Sequence, residues 1–376
     1  MRIGLEPRTA PSTLAQLGAP LIAFALMLIT GAGLLWLLGR PALATLQVYF
    51  LSPLLDPFSR SEVVVKAIPL ALIAAGLCVS FRSNVWNIGA AGQYTLGALA
   101  ASALALSIGD SMNGPLMMAL YLGAGLAGGL AWAAIPALLR TRFSTNEILV
   151  SLMLTYVATL LLDWAVRGPL RDPQAFGFPQ SPSLPDAVIL PVLVEGTRLH
   201  GGLLVVVPVA IGLWLLMRTS VLGFSLQVLG TAPRAGIFAG FARNRAVWVG
   251  LGLSGALAGL AGAIEVSATI GKLQPDISAV YGFTAIIVAF LARLNPAGAL
   301  IGALVLAVTF IGGENAQIEL QLPRNVTNMF QGLLLFFLLA AETLTRYRVV
   351  LRRAPRALAP DIDPGGAAPQ PQAEAR

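Results

Sequence analysis

The chain has 376 residues, 57% of them hydrophobic and only 11% charged, against about 25% charged in an ordinary soluble domain. That leaves too little polar surface to cover a water-soluble globule, and the apolar runs are continuous rather than alternating, which excludes a membrane barrel. The net charge of +7 sits mostly on arginines between apolar runs, the pattern that orients a chain in a bilayer, so the lipid bilayer and no nucleic acid is the expected partner of that charge.

The expected fold is all-α, a polytopic transmembrane bundle of about ten spans with both termini cytoplasmic. Residues 1–16 read as a cytoplasmic N-terminal segment. The first apolar run, 17–39, is followed by "PALAT", which resembles a cleavage site, but at about 22 residues it exceeds the roughly 7–15 of a signal-peptide core; it reads as an uncleaved first span. Further spans are expected at 62–81, 86–108, 115–138, 146–166, 201–217, 246–268, 280–293, 297–313 and 326–344, so that the membrane domain covers 17–345. This count places most basic residues on the inner side, among them Arg82, Arg140, Arg142, Arg218, Arg243, Arg245 and Arg293. Fewer fall outside, among them Lys66, Arg167, Arg198 and Lys272. A proline-rich outer loop is expected at about 167–200 and a basic cytoplasmic segment at about 218–245. Residues 346–376, rich in Pro, Ala and Gly, read as a cytoplasmic, disordered tail. No internal repeat stands out.

The sequence lacks a catalytic constellation. The single cysteine, Cys78, lies in an apolar run and reads as a packed small side chain; the single histidine, His200, reads as a solvated loop residue. "TIGKL" lacks the earlier glycine and the following Ser/Thr of a phosphate-binding loop, so any ATP is bound by another chain. The informative residues are polar groups inside the spans, which face a partner or a wet cavity: Asn87, Gln93, Asn146, Glu147, Tyr156, Asp163, Glu265, Glu314, Asn315, Asn328 and Gln331. Several sit near span ends, where water reaches them. Gln93 and Gln331 lie deeper, and for them lining of a route and plain hydrogen bonding between helices are equally open. Gly89, Gly92 and Gly97 permit close packing or a break in the helix, with Asn87 as its cap. Gly125/Gly129, Gly255/Gly259 and Gly298/Gly302 repeat at the spacing that lets helix backbones approach. The segment after Arg218 keeps Phe224, Leu226, Val228, Leu229, Ile237, Phe238 and Phe241 among polar residues, as a short amphipathic surface helix would.

"NVWNIGAAGQYTLGALAA", "STNEILVSLMLTYVATLLLDWAVRGPLRDP", "LGTAPRAGIFAGF", "LSGALAGLAGAIEV", "YGFTAIIVAFLARLNPAGALIGAL" and "LPRNVTNMFQGLLLF" together resemble, in order over about 62–345, the permease subunits of bacterial ATP-binding-cassette importers. The resemblance is to the simple-sugar and nucleoside branch, and within it to the nucleoside-type members. Ala91 stands where that branch usually has Glu, Thr155 where it has Asn, and Ala235-Gly236 where it has paired alanines. The resemblance implies an inner-membrane, multi-pass subunit that is not itself an enzyme and holds no cofactor, with ATP and Mg on a partner cytosolic ATPase. It also implies an extracytoplasmic binding protein and a second homologous permease, a heterodimer. By it Asn87, Gly89, Gly92, Gln93, Asn146, Glu147 and Gln331 belong to the substrate route or its gate. Gly230, Pro233, Arg234, Ala235, Gly236 and Gly240 belong to the ATPase coupling contact. The expected cargo is a nucleoside. Simple sugars, branched-chain amino acids or a vitamin are the alternatives on the same architecture, and a self-sufficient secondary transporter or channel is the alternative from another class.

Overall fold

In lipid every backbone N–H and C=O must be satisfied within the chain, so each long apolar run closes into a helix. The computed structural model describes residues 2–7, 13–109, 111–112, 114–275, 277, 281–323 and 325–352. Its helices are α1 (Thr13–Leu37), α2 (Ala42–Phe50), α3 (Ser52–Leu55), α4 (Pro57–Arg82), α5 (Ala90–Ile108), α6 (Gly114–Phe143), α7 (Glu147–Arg167), α8 (Gly202–Thr219), α9 (Val221–Thr231), α10 (Pro233–Phe238), α11 (Arg243–Glu265), α12 (Tyr281–Leu291), α13 (Gly298–Leu320) and α14 (Asn325–Arg346). A π-helical turn, Val266–Ile270, extends α11. Among the described residues 7 helices are long and apolar enough to cross a bilayer: α4 to α8, α11 with its extension, and α13; α1, α12 and α14 carry shorter apolar stretches. Each expected span therefore has its helix.

Local chemistry sets the helix ends. Asp56 caps α4 by accepting the Ser59 N–H at 2.7 Å, with Pro57 in the first turn. Asn146 caps α7 through Ile148 N–H at 2.9 Å, and Ser220 caps α9 through Gly223 N–H at 2.9 Å. Pro69, Pro136 and Pro208 lie inside α4, α6 and α8, as membrane helices with packed neighbours tolerate.

The centre is α4 and α11, the most buried of the long helices. Their partners follow one scheme: α11 lies against α5 and α6 as α4 lies against α12 and α13. The two helices run in opposite directions, since α4 ends and α11 begins at the same end of the bundle, where Gly230 sits on the Arg82 carbonyl. So α4–α7 and α11–α14 repeat one packing pattern upside down, a repeat not evident in the sequence. Lipid offers no hydrophobic drive between helices, and close van der Waals contact supplies it instead. Gly125 and Gly129 of α6 meet Gly259 of α11 so closely that a Cβ on Gly129 would lie 2.7 Å from the Gly259 Cα. Gly97 of α5 meets Gly259 from another side.

Four features depart from expectation. Helix α5 starts at Ala90 rather than 86, because residues 85–89 are non-helical. Helix α13 runs on to Leu320. The short α2 and α3 precede α4. Strands β1 (Arg2–Pro7) and β2 (Tyr347–Arg352) form an antiparallel ribbon joining the two ends of the chain, so the segment assigned to the tail opens in a strand; residues 353–376 lie outside the described residues. The bundle end holding Arg82, the α6–α7 turn and α9–α10 is called the arginine end below, and the opposite one the loop end.

At the loop end the proline-rich segment between α7 and α8 is an ordered cover. Its backbone is fastened to the stretch after α11: Ser181 N–H donates to the Leu273 carbonyl at 3.0 Å, Leu184 N–H to that of Gly271 at 2.9 Å, and Leu190 N–H to Ser267 Oγ at 3.1 Å. Val192 and His200 form a bridge that closes its last turn.

Candidate functional site: two helix breaks and a protruding helical pair

The break before α5 lies at the arginine end and is fully fastened. Asn87 and Gln93 are buried and form a reciprocal amide pair: Asn87 Nδ2 donates to Gln93 Oε1 at 2.7 Å and Gln93 Nε2 to Asn87 Oδ1 at 3.1 Å. Asn87 Nδ2 also reaches Ser254 Oγ on α11 at 2.8 Å, and Asn87 Oδ1 accepts the Gly89 N–H at 3.1 Å. Asn87 thus holds the turn before α5, and Gly89 occupies the cap position. From the other side, Trp86 N–H donates to Glu147 Oε1 and Ile88 N–H to Ser151 Oγ, both at 3.3 Å. Glu147 also receives Arg140, and both side chains of that ion pair are mostly buried. Gly89 and Gly92 lie against the backbone of α7 at Ser151 and Thr155, where a Cβ would come within 2.7 and 2.8 Å. The expected route residues Asn87, Gly89, Gly92, Gln93 and Glu147 are therefore brought together, with Ser254 as a member that sequence reading missed. Asn146 is an exposed helix cap beside them. Gln331 is not part of this group: it lies on α14, buried, accepting from Thr284 Oγ1 of α12 at 3.4 Å. Ala91, at the usual Glu position, is buried against Gly282 of α12, where a Cβ on that glycine would lie 2.5 Å from the Ala91 Cβ.

The second break, before α12, enters from the loop end and is charged; Gly282 beside the start of α12 lies on Ala91 beside the start of α5, so the two helix starts meet inside the bundle. Lys66 Nζ donates to Tyr281 Oη at 3.1 Å and stands 3.9 Å from Glu314; Tyr281 Oη donates to Glu265 Oε1 at 3.4 Å. Arg198 of the cover pairs with the buried Glu62 of α4, and that carboxylate holds the guanidinium further toward its charged form. Glu265 Oε2 and Tyr94 Oη are buried and have no hydrogen-bond partner among the described residues. His200 corrects the solvated-loop expectation. It is buried at 1% exposure because the cover folds it against α8 and α11, its Nδ1 accepting the Gly202 N–H at 3.2 Å. Burial lowers its pKa to about 4.

Between α8 and α11 the chain leaves the bundle as a helical pair, α9 and α10. Gly230 fits α9 against the Arg82 carbonyl, and Gly236, buried, fits α10 against Leu229, whose Cδ2 would lie 2.8 Å from a Cβ there. Pro233 starts α10. Gly240 has φ +85°, a left-handed turn that returns the chain toward α11. Arg234 and Ala235 are exposed, as are Phe238 at 93% and Ile237. Of the six expected coupling residues, Gly230 and Gly236 shape the pair, Pro233 and Gly240 delimit it, and Arg234 and Ala235 face outward. Ile237 and Phe238 form its apolar tip; the sequence marked them as apolar without assigning them to the contact.

The model of the family described as "branched-chain amino acid transport system / permease component" matches residues 59–339. The chain is 33% identical over 360 residues to the glucose ABC transporter permease protein TsgB13 of Haloferax volcanii, covering 93% of this chain and 94% of that one. It is 29% identical to the guanosine ABC transporter permease protein NupP of Bacillus subtilis, over 86% of this chain and 93% of the relative. It is 24% identical to the nucleoside ABC transporter permease protein NupB of Lactococcus lactis, over 85% and 89%.

Proposed function

Because the chain belongs to the permease component family of these transport systems, we propose that it carries a nucleoside across the inner membrane, pairing with a second, different permease and driven through its α9–α10 pair. Membership itself makes it the multi-pass membrane subunit of an importer, whose ATPase is a separate chain, and removes the reading as a self-sufficient transporter. The observation that carries the coupling role is the α9–α10 pair: a ledge seated on α4 by Gly230, with Phe238 and Ile237 standing clear of the bundle. An apolar tip beside the exposed Arg234 is a knob for a groove on a motor domain. Movement of that knob reaches α4 directly, and α4 carries the fastened break at its end.

A nucleoside needs hydrogen-bond partners and apolar surface rather than a counter-ion. The centre of the polar group at the fastened break is made of amides and a hydroxyl, and its one carboxylate, Glu147, is taken up by Arg140. Two of the three relatives carry nucleosides by name; the glucose relative keeps a simple sugar as the second reading. Support for a paired permease comes from α7, where Leu149, Met153, Tyr156, Leu160 and Trp164 form one exposed stripe. A phenol exposed at mid-span meets a partner chain or water rather than lipid tails.

Three measurements test this. Phe238→Glu and Arg234→Glu abolish co-purification of the ATPase and uptake; normal values for both overturn the coupling role. A cysteine at position 235 resists impermeant reagents applied outside intact cells, against a clean background because Cys78 is buried; labelling from outside inverts the orientation. Uptake is competed by adenosine, guanosine or uridine; competition by glucose, ribose or xylose alone moves the cargo to sugars.

A further inference from the structure

Some basic residues of the bundle are paired with a carboxylate and others are not. At the loop end Arg167 holds Asp163 at 2.8 Å, Arg198 holds Glu62, and Lys66 faces Glu314. At the arginine end Arg140 is paired with Glu147, but Arg82 and Arg218 have no carboxylate within ion-pair distance among the described residues. The sequence makes this unavoidable locally, because there is no Asp or Glu between Glu62 and Asp110, between Glu195 and Glu265, or from 277 to 313. These stretches supply every wall of one pocket of about 410 Å³. It is lined by Arg82 in the last turn of α4, Trp214 and Arg218 of α8, Phe224 and Gln227 of α9, and Asn295 of the α12–α13 turn. The Arg218 guanidinium stands over the Trp214 ring at 5.2 Å, which orients it and leaves its donors free for an anion. The face of α8 that leads to Arg218 is apolar and exposed: Leu204, Ile211 and Leu215 fall on its helical row.

We propose that this pocket is a binding site for the phosphate headgroup of an anionic phospholipid, whose acyl chains lie along the exposed row of α8. Two guanidinium groups match a phosphate diester; Gln227 Oε1 and Asn295 Nδ2, the ends of those amides not engaged with the Met217 carbonyl and the Ala297 N–H, match a glycerol headgroup; and a tryptophan sits where interfacial tryptophans sit. An acidic segment of a protein partner would answer the charge but not the apolar row that runs into it. Occupation joins the ends of α4 and α8 to α9, so the lipid braces the ledge on which the protruding pair stands. The inference needs only that the bundle lies in a bilayer, and it is independent of cargo and of the motor.

The test uses the full chain, purified with and without its ATPase, and native mass spectrometry of retained lipid. Phosphatidylglycerol is retained in preference to phosphatidylcholine, and Arg82→Gln with Arg218→Gln lowers its retention about tenfold or more. Arg82→Lys with Arg218→Lys restores part of it, which separates a charge role from misfolding. Arg234→Gln, on the protruding pair, leaves retention unchanged. Equal retention of both lipids, or retention unaltered in the double glutamine variant, overturns the proposal. Displacement of the lipid by millimolar inorganic phosphate shows a free-phosphate site and overturns it as well. So does a double variant that keeps its lipid but loses the ATPase, since the pocket then belongs to the protein partner; loss of lipid with co-purification intact supports it.

Discussion

The breaks before α5 and before α12 occupy equivalent places in the two inverted halves, yet they are built from opposite materials. The first is neutral at its centre: amide meets amide, a serine completes the set, and Glu147 with Arg140 closes the far side. The second strings Lys66, Tyr281 and Glu265 together and leaves Glu265 Oε2 and Tyr94 Oη without partners among the described residues. A satisfied polar network in a low-dielectric interior fixes one arrangement, whereas an unsatisfied one retains capacity for water, a proton or a solute hydroxyl. One fold thus carries a joint whose polar groups answer one another and a joint with two buried polar atoms unanswered among the described residues.

The comparison breaks most readily at Arg140. Replacing Arg140 with Leu strands Glu147 as a buried carboxylate and costs about 3–5 kcal/mol, while Arg140→Leu with Glu147→Leu recovers most of it; unfolding of the purified chain in detergent reads both. A small cost for the single change would show that the first break is not fastened by this pair. Next, Asn87→Leu leaves Gln93 and Ser254 unanswered and costs about 1–3 kcal/mol. Adding Gln93→Leu then costs less than the separate changes summed, since both halves of the amide pair are gone; strict additivity would deny the pair.

At the loop end the handle is pH. His200 is neutral in the folded chain down to about pH 4, whereas unfolded it takes a proton near 6.5. The folded state therefore binds fewer protons between these values. Its stability is complete above about 6.5 and is lost as pH falls toward 4, by about 2 kcal/mol between pH 7 and 5. His200→Asn keeps an acceptor for the Gly202 N–H and flattens that slope; an unchanged slope assigns the pH response elsewhere. The smallest effect is expected at Lys66→Met. Its ion pair with Glu314 is long and partly exposed, and Tyr281 Oη keeps Glu265 as a partner when Lys66 is gone, so the loss is about 1 kcal/mol; a larger loss would mean that the second break is as firmly tied as the first.

Much of this fold is legible because lipid simplifies the problem. A continuous apolar run has one way to satisfy its backbone, so every expected span found its helix. The seam of glycines was legible too: Gly125/Gly129 and Gly255/Gly259 were marked by spacing, and they pack on each other. Helices α2 and α3 were hidden because 9 residues after Pro41 and 4 residues around Pro53 give no periodic signal. Asn87, Gln93 and Glu147 stood out as polar groups in oily surroundings. Ser254 did not, since a serine among glycines and alanines reads as one more small residue; its place beside Gly255 on the contacting face was the available signal. His200 was misjudged because its burial comes from the cover folding over α11, a long-range event that flanking residues do not encode.

That cover has a mechanical consequence. Residues 181–190 are tied to the stretch 267–273 by hydrogen bonds between backbones and through the Ser181 and Ser267 hydroxyls, and prolines at 179, 182 and 185 limit how far the strip can bend. A visitor that presses on the strip therefore presses on the stretch between α11 and α12, as a finger on a lid turns the hinge to which it is stitched.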